Sequence, residues 1–332
     1  MGGSRQVSRL LALILPGAGT LILTGLPHDT DAVEAWRARV ATGLQSVYDA
    51  HAHRQTAPIT GTNPARLDAQ GRVEADVHYD CSSSDPSTTL AAAGLSPGSS
   101  THLPPLCVVE GWTAPGALPQ LTNVPGVTRV EIPSYVRHIR RPTLKSTAAS
   151  QVGNAIDGNA VTIMHADQFV RQAGGGGGGV IVGVQSAGAA SLSTIQSRGE
   201  LPNVTVLTTA AGASPMAADE GTALLQEIHA VAPNAGLAFC EPQTFVQYTA
   251  CLQQFAQVGA TIMVDDILFF GQDPLSSAGT DAAGVTQFLA QHPDVAMFTS
   301  AGNDNGSYWE GTYTPVTVQS LGLATITCPG ST

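Results

Sequence analysis

Four short polar segments in the second half of the chain contain residue types that could catalyse acyl transfer. They span residues 185–188, 219–222, 265–266 and 300–303. Each follows an apolar run or opens a helical pattern, which predicts that each lies at the end of a strand or the beginning of a helix. Acyl transfer requires a nucleophile, a base that accepts its proton and a donor that stabilises the oxyanion. These segments therefore supply the candidate site residues.

Glu220, with Asp219 before it, opens a predicted helix and is the candidate base. A carboxylate can act as a base in such chemistry only if burial or a second carboxylate tunes its pKa. The alternative is that both residues are first-turn acids that the helix dipole favours. Both interpretations stay open for Glu220, whereas the helix-dipole interpretation is favoured for Asp219.

Asp266 and Asn303 complete the candidate set. Asp265 and Asp266 close an apolar strand, where neighbouring side chains point to opposite faces, so that one of them could line a cleft. The alternatives for this pair are a solvated strand end and a calcium ligand, and structural calcium is the only cofactor we consider. Asn303 is a candidate oxyanion donor, although asparagine also suits a tight turn.

Strands and helices alternate from residue 174 onward and must position these segments. The apolar runs lie at residues 180–184, 204–207, 236–239, 261–264 and 295–299, and the helical patterns at 218–231, 243–256 and 281–291. Continuous apolar strands separated by amphipathic helices predict a doubly wound α/β fold, in which a parallel sheet is covered on both faces. Ligands of such sheets bind at the carboxyl ends of the strands.

A smaller unit precedes this one. Residues 71–134 predict strand, helix, strand, helix and strand in that order, which suits a small α/β sandwich. We divide the chain into a signal peptide (1–27), a helix and linker (28–70), the small α+β module (71–142), a linker (143–173) and the parallel-sheet domain (174–332). The helix is expected over residues 32–52.

Charge and the N-terminus limit the possible partners and the location. Lys and Arg total 14 against 25 Asp and Glu, a net charge of −11, so nucleic acid is excluded as a partner. Arg5 and Arg9 precede an apolar run at residues 10–24, the form of a secretory signal, with an uncleaved anchor as the alternative. We therefore expect export, and no membrane association once the signal is removed.

Four of the five cysteines could form two pairs. Cys81 with Cys107, and Cys240 with Cys251, could each close a loop in an oxidising compartment, whereas Cys328 is left over. The alternative is five small buried thiols. No C-x-x-C or Cys/His spacing predicts zinc.

Residues 174–305 resemble the subtilisin-like serine peptidases. Glu220-Gly221-Thr222, the helix after it and residues 231–237 look like the segment that begins at that family's catalytic histidine, and residues 300–303 look like its oxyanion segment. Residues 109–130 resemble the family's prodomain-like module. The resemblance implies a doubly wound sheet of subtilisin type, a serine endopeptidase activity and a polypeptide as substrate or ligand.

The triad positions depart from the family pattern. The first strand ends in Gln185-Ser186-Ala187 without a carboxylate, and no Gly-Thr-Ser-type segment follows Asn303 before Thr332. Glutamate replaces the histidine, as in the related sedolisins, but Leu224 occupies the position of their second acid. We expect a secreted peptidase relative that is inactive in this chain. The alternative is a pseudopeptidase that acts as a peptide-binding or interaction module.

Overall fold

The computed structural model describes residues 35–55, 64–136, 158–207, 218–269 and 280–300, together with the backbone of two short strands further on. These two strands, Pro315–Val318 and Leu323–Ile326, pair with each other in antiparallel fashion. The predicted signal peptide, Asn303 and Cys328 lie outside the described residues.

Residues 35–136 form a four-stranded antiparallel sheet with helices on one face. The strands, in the spatial order β2-β3-β1-β4, are β1 (Val73–Tyr79), β2 (Leu95–Leu103), β3 (Leu106–Thr113) and β4 (Val127–Glu131). The helices are α1 (Thr42–Ala52), α2 (Ser87–Ala92) and α3 (Leu118–Thr122), with 3-10 turns at Arg37–Arg39 and Pro115–Ala117. The helix expected from residue 32 thus begins only at Thr42.

Alternation along β1 decides which side of this sheet faces the helices. Val73, Ala75 and Val77 are buried in one apolar cluster with residues of α1, α2 and α3. Glu74 and Asp76 point to the other face, because successive strand residues alternate. Those two acids are nevertheless buried, so the polar face of this sheet is also covered.

The sequence did not predict β2, and its composition explains why. Residues 95–103 are mostly small and polar and contain Pro97, which lacks an amide hydrogen for pairing. β2 pairs only with β3, and its register shifts between Pro97 and Ser100. A strand at the edge of a sheet tolerates both features.

Residues 158–300 form a second unit around a five-stranded parallel sheet. Its strands, in the order β6-β7-β5-β8-β9, are β5 (Ile181–Gln185), β6 (Val204–Val206), β7 (Gly236–Cys240), β8 (Ile262–Asp265) and β9 (Ala296–Thr299). The helices are α4 (Gly158–Ile163), α5 (Ala166–Ala173), α6 (Leu192–Ser197), α7 (Glu220–Val231), α8 (Phe245–Gln257) and α9 (Thr280–Gln291). The predicted parallel sheet is confirmed, whereas α4 and α5 lie within the predicted linker.

Helices pack on both faces of the parallel sheet. Val182 and Val184 of β5 lie in one apolar cluster with residues of α6 and α7. Gly183, between them, faces α8, because a Cβ built on it would lie 2.7 Å from the Phe255 ring. The second face is covered by a cluster that includes Phe255 and, from α9, Phe288.

Helices α8 and α9 also contact the antiparallel sheet. Leu103, Leu106 and Val108 belong to the same cluster as Phe255 and Phe288. Two backbone hydrogen bonds add to this contact, from the Phe245 amide to the Ser134 carbonyl and from the Val136 amide to the Gln243 carbonyl, each 2.9 Å long. The two sheets thus share one helical layer.

Both predicted cysteine pairs are disulfides in the structure. Cys81 bonds to Cys107 and Cys240 bonds to Cys251. The second disulfide links the end of β7 to α8, next to the shared layer. Within the described ranges no helix is long and apolar enough to cross a membrane.

The close approach of β5 and α8 predicts the effect of substitution at Gly183. A Gly183→Ala variant should lose about 1 to 3 kcal/mol of unfolding free energy, because its methyl group would force Phe255 out of its packed position. Urea unfolding followed by circular dichroism measures this loss. Gly178→Ala is the matched control: the nearest atoms to its Cβ lie 3.9 Å away, so a change within about 0.5 kcal/mol is expected. Equal losses in both variants would contradict the packing argument.

Candidate functional site

The carboxyl ends of β5 and β8 form the point where the chain leaves the parallel sheet toward opposite faces. After β5 the chain enters α6, whose Leu192 and Ile195 lie in one apolar cluster. After β8 it leads to α9, whose Phe288 lies in the other cluster. Because β5 and β8 are neighbours, a crevice between their ends is the expected ligand position of such a sheet. The residues there are Gln185, Ser186, Asp265 and Asp266.

Gln185 and Ser186 are buried at this point without hydrogen-bond partners for their side chains. Gln185 is 1% exposed and Ser186 is fully buried. Among the described residues no group pairs with the Gln185 amide or the Ser186 hydroxyl. Buried polar groups are nearly always paired, so two unpaired ones in sequence mark this strand end as unusual.

Asp265 connects three elements beside Gln185. Its carboxylate accepts hydrogen bonds from the Tyr248 hydroxyl of α8 at 3.0 Å, the Thr299 hydroxyl of β9 at 3.1 Å and the Ile267 amide at 3.4 Å. Burial raises the pKa of Asp265 even though these bonds oppose the shift. Sequence reasoning missed Tyr248 and Thr299, because nothing along the chain relates them to Asp265 before the register of the strands is known.

Asp266, the candidate of this pair from the sequence analysis, occupies a different position. It is half-buried, and its amide donates a hydrogen bond of 3.1 Å to the Gln185 carbonyl. Asp265 of β8 is the register partner of Gln185 of β5, and Asp266 is the next residue after Asp265. The buried, hydrogen-bonded acid is therefore Asp265, whereas Asp266 lies nearer to solvent beside the end of β5.

Glu220 and Asp219 lie where α7 begins, against the loop that follows β5. The Gly221 amide donates to the Gly188 carbonyl at 2.9 Å. A Cβ on Gly221 would lie 2.6 Å from that carbonyl oxygen and 2.4 Å from the Phe239 ring, which explains the glycine after Glu220. Glu220 is exposed and is held next to the same strand end as Ser186.

Asp219 has a structural contact that favours the helix-end interpretation. Its carboxylate accepts a hydrogen bond of 2.8 Å from the Ser191 amide. Burial alone would raise the pKa of Asp219, but hydrogen bonding with Ser191, together with the effect of Thr222, outweighs burial and lowers the pKa. Asp219 thus stays ionised and connects the beginning of α7 to the beginning of α6. Its lowered pKa makes it a weak proton acceptor.

The described residues contain no activated nucleophile at this site. The Ser186 hydroxyl is buried, and no base among them is hydrogen-bonded to it. Leu224, one turn after Glu220, packs partly buried against the apolar core and supplies no second acid. Asn303 lies outside the described ranges, so the oxyanion role stays a prediction. Nor do these ranges group three or more His, Cys, Asp or Glu side chains as metal ligands, and calcium stays a prediction too.

Comparisons with known proteins give a limited result. No family model and no curated protein matches the sequence. Two crystal structures from Staphylococcus aureus are similar: a mutant of the epidermin leader peptide processing serine protease EpiP, and EpiP itself. Their identities are 12% and 10%, each with a TM-score of 0.43 and 70% of this chain covered. The chain spans about three fifths of their length (61% and 60%), and so distant a similarity says nothing about catalytic residues.

The hydrogen bond between Tyr248 and Asp265 yields a second prediction. Tyr248→Phe should lower the unfolding free energy by about 1 to 3 kcal/mol at pH 7, since a buried carboxylate loses a donor. The loss should be smaller at pH 4, because Tyr248 favours the ionised form of Asp265 and its removal costs less once the carboxyl takes up a proton. Urea unfolding at both pH values measures it. Tyr48→Phe in α1 is the control, and a pH-independent loss at Tyr248 would contradict the assignment.

Proposed function

We propose that this chain is a relative of the subtilisin-like serine peptidases that binds an extended polypeptide at the carboxyl edge of its parallel sheet and does not hydrolyse it. The parallel-sheet unit would be a doubly wound domain of subtilisin type, and residues 71–142 its prodomain-like module. The motifs at residues 220–237 and 300–303 support the relationship.

The end of β5 is the observation that carries the proposal of inactivity. A serine attacks a peptide carbonyl only when a base removes its proton and a carboxylate orients that base. The resemblance implies this carboxylate at the end of the first strand, but β5 ends in Gln185 and is followed by Ser186 and Ala187, none of which is ionisable. The position that should help activate a nucleophile therefore has no ionisable group.

Exposed groups around the same edge support binding of a polypeptide. Glu220 is exposed at the beginning of α7, and half-buried Asp266 follows β8 on the neighbouring strand. The loop after β5 lies between these two acids. An extended peptide with basic side chains would find complementary charge on both sides of this loop.

Export is part of the same proposal. The basic and apolar N-terminal sequence has the form of a secretory signal. The two disulfides support it, because such bonds persist mainly in oxidising compartments.

A second candidate function is acid-active peptide hydrolysis with Glu220 as the base. The observation that favours it is the exposed position of Glu220 beside the end of β5, where a substrate could reach it. This candidate requires a nucleophile outside the described residues.

Binding and cleavage can be separated in one experiment. A fluorescently labelled unstructured peptide that carries several Lys and Arg residues should bind the full chain by anisotropy at pH 4 and pH 7, and gels should show no fragments. Asp266→Lys should weaken binding at pH 7 by about tenfold, which corresponds to about 1.4 kcal/mol, because it reverses a charge at the proposed edge. Glu227→Lys, on an exposed part of α7, is the matched control and should bind like the wild type.

Two outcomes would contradict the proposal. Absence of binding of this basic peptide at both pH values would remove the peptide-binding function. Fragments that form with the wild type and disappear with Glu220→Ala would instead establish hydrolysis with Glu220 as the base.

A further inference from the structure

Three acidic side chains are buried where the antiparallel sheet meets α8. Glu74 and Asp76 lie on the same face of β1, and Glu110 of β3 is paired in register with Asp76. Glu110 is only 2% exposed, and the other two are 6% exposed. Charged residues are almost never buried to this extent unless they are paired. The hydrogen bonds and charges around these three acids therefore affect the strength of the contact between the two units.

Helix α8 provides hydrogen bonds to this face but no charge. The Gln247 side-chain amide donates to one carboxyl oxygen of Glu110 at 2.8 Å, and Thr244, which caps the helix, lowers the pKa of Glu110. The second carboxyl oxygen of Glu110 is buried without a partner among the described residues. The beginning of a helix favours an anion, but only modestly.

Among the described residues, Arg66 is the cation that acts on Glu74 and Glu110. It lies over the Tyr135 ring, with 3.7 Å from the guanidinium carbon to the ring centre, and attracts both carboxyl groups. Glu74 in turn opposes ionisation of Glu110. One cation shared by two buried carboxylates compensates them incompletely when both are ionised.

Burial shifts the titration of two of these acids in the same direction. Burial, together with the charge of Glu74, raises the pKa of Glu110 to about 7, although Thr244, Gln247 and Arg66 oppose the shift. Burial also raises the pKa of Glu74, with Arg66 and Tyr135 opposing.

We propose that the protonation state of Glu110 controls how tightly the antiparallel sheet is held against α8. The neutral carboxyl fits the buried contact, and the carboxylate weakens it. The apolar contacts of Leu103, Leu106 and Val108 with the shared layer remain in both states. The proposal is independent of the peptide-binding function, because it uses only contacts between the two units.

The direction of the pH effect follows from the raised pKa. Below about pH 4.5 Glu110 is neutral whether the units are docked or separated, and docking is tightest. Between that value and about 7 the docked form holds a proton that the separated form has lost, so docking weakens as the pH rises. Above about pH 7 the carboxylate is ionised in both forms, and docking is weakest.

Hydrogen exchange of the full chain tests this proposal. The amides of Val136 and Phe245 make the backbone bonds between the units, so peptides that contain them report opening of the contact. After correction for intrinsic exchange, their protection should fall by up to about 100-fold from pH 5 to pH 8, one proton being linked to docking. Peptides from α7, on the opposite face of the parallel sheet, should change far less.

Glu110→Gln should remove the pH dependence, because it keeps the shape and an acceptor for Gln247 without the charge. Its protection at pH 8 should exceed that of the wild type. Glu227→Gln, which alters an exposed carboxylate of α7, should behave like the wild type. If Glu110→Gln does not fold, Glu74→Gln provides the second variant: loss of the like charge should move the transition to lower pH, since Glu110 would ionise more easily.

The proposal would be overturned if, in the wild type, the exchange protection of the peptides that contain Val136 and Phe245 did not change between pH 5 and pH 8. It would equally be overturned if Glu110→Gln kept the wild-type pH dependence. A purely structural role of Glu110 would instead lower the protection of the variant by a similar factor at both pH values.

Discussion

Helix α8 is the element on which both halves of the structure depend. It lies between the antiparallel and the parallel sheet, so the polar side chains of its buried first turns need partners inside the protein. Gln247 hydrogen-bonds to Glu110 of the antiparallel sheet, and its neighbour Tyr248 hydrogen-bonds to Asp265 of the parallel sheet. Two successive residues of one buried helix thus fix the contact between the units and the end of β8.

Much of the parallel sheet could be predicted, because its strands are buried on both faces. A strand such as β5 must be apolar at nearly every position, and that pattern is visible in the sequence without any knowledge of its neighbours. The spatial order β6-β7-β5-β8-β9 was not visible, since it depends on contacts between strands. Strand β2 was missed for the opposite reason: as an edge strand with Pro97 it needs neither an apolar pattern nor full pairing.

The sequence indicated a place for the candidate site but not the contacts of its residues. The rule that ligands bind at the carboxyl ends of parallel strands directs attention to Gln185 and Asp266 from sequence alone. The assignment of Asp265 as the buried acid required the register between β5 and β8 and the position of Tyr248. The alternation in β1 predicted two faces, but it did not predict that Glu74 and Asp76 on the polar face are buried.

The two acids that α8 contacts respond to pH in the same direction. Burial raises the pKa of Asp265 on one side of the helix and of Glu110 on the other. For a buried acid, each shift means that the folded form takes up a proton that the unfolded form has lost, so each contact costs more free energy as the pH rises. Gln247 and Tyr248 are consecutive residues of α8, so the hydrogen bonds to Glu110 and Asp265 both depend on the position of the same helical turn. The position of this turn is therefore a constraint that the contact between the sheets and the end of β8 have in common.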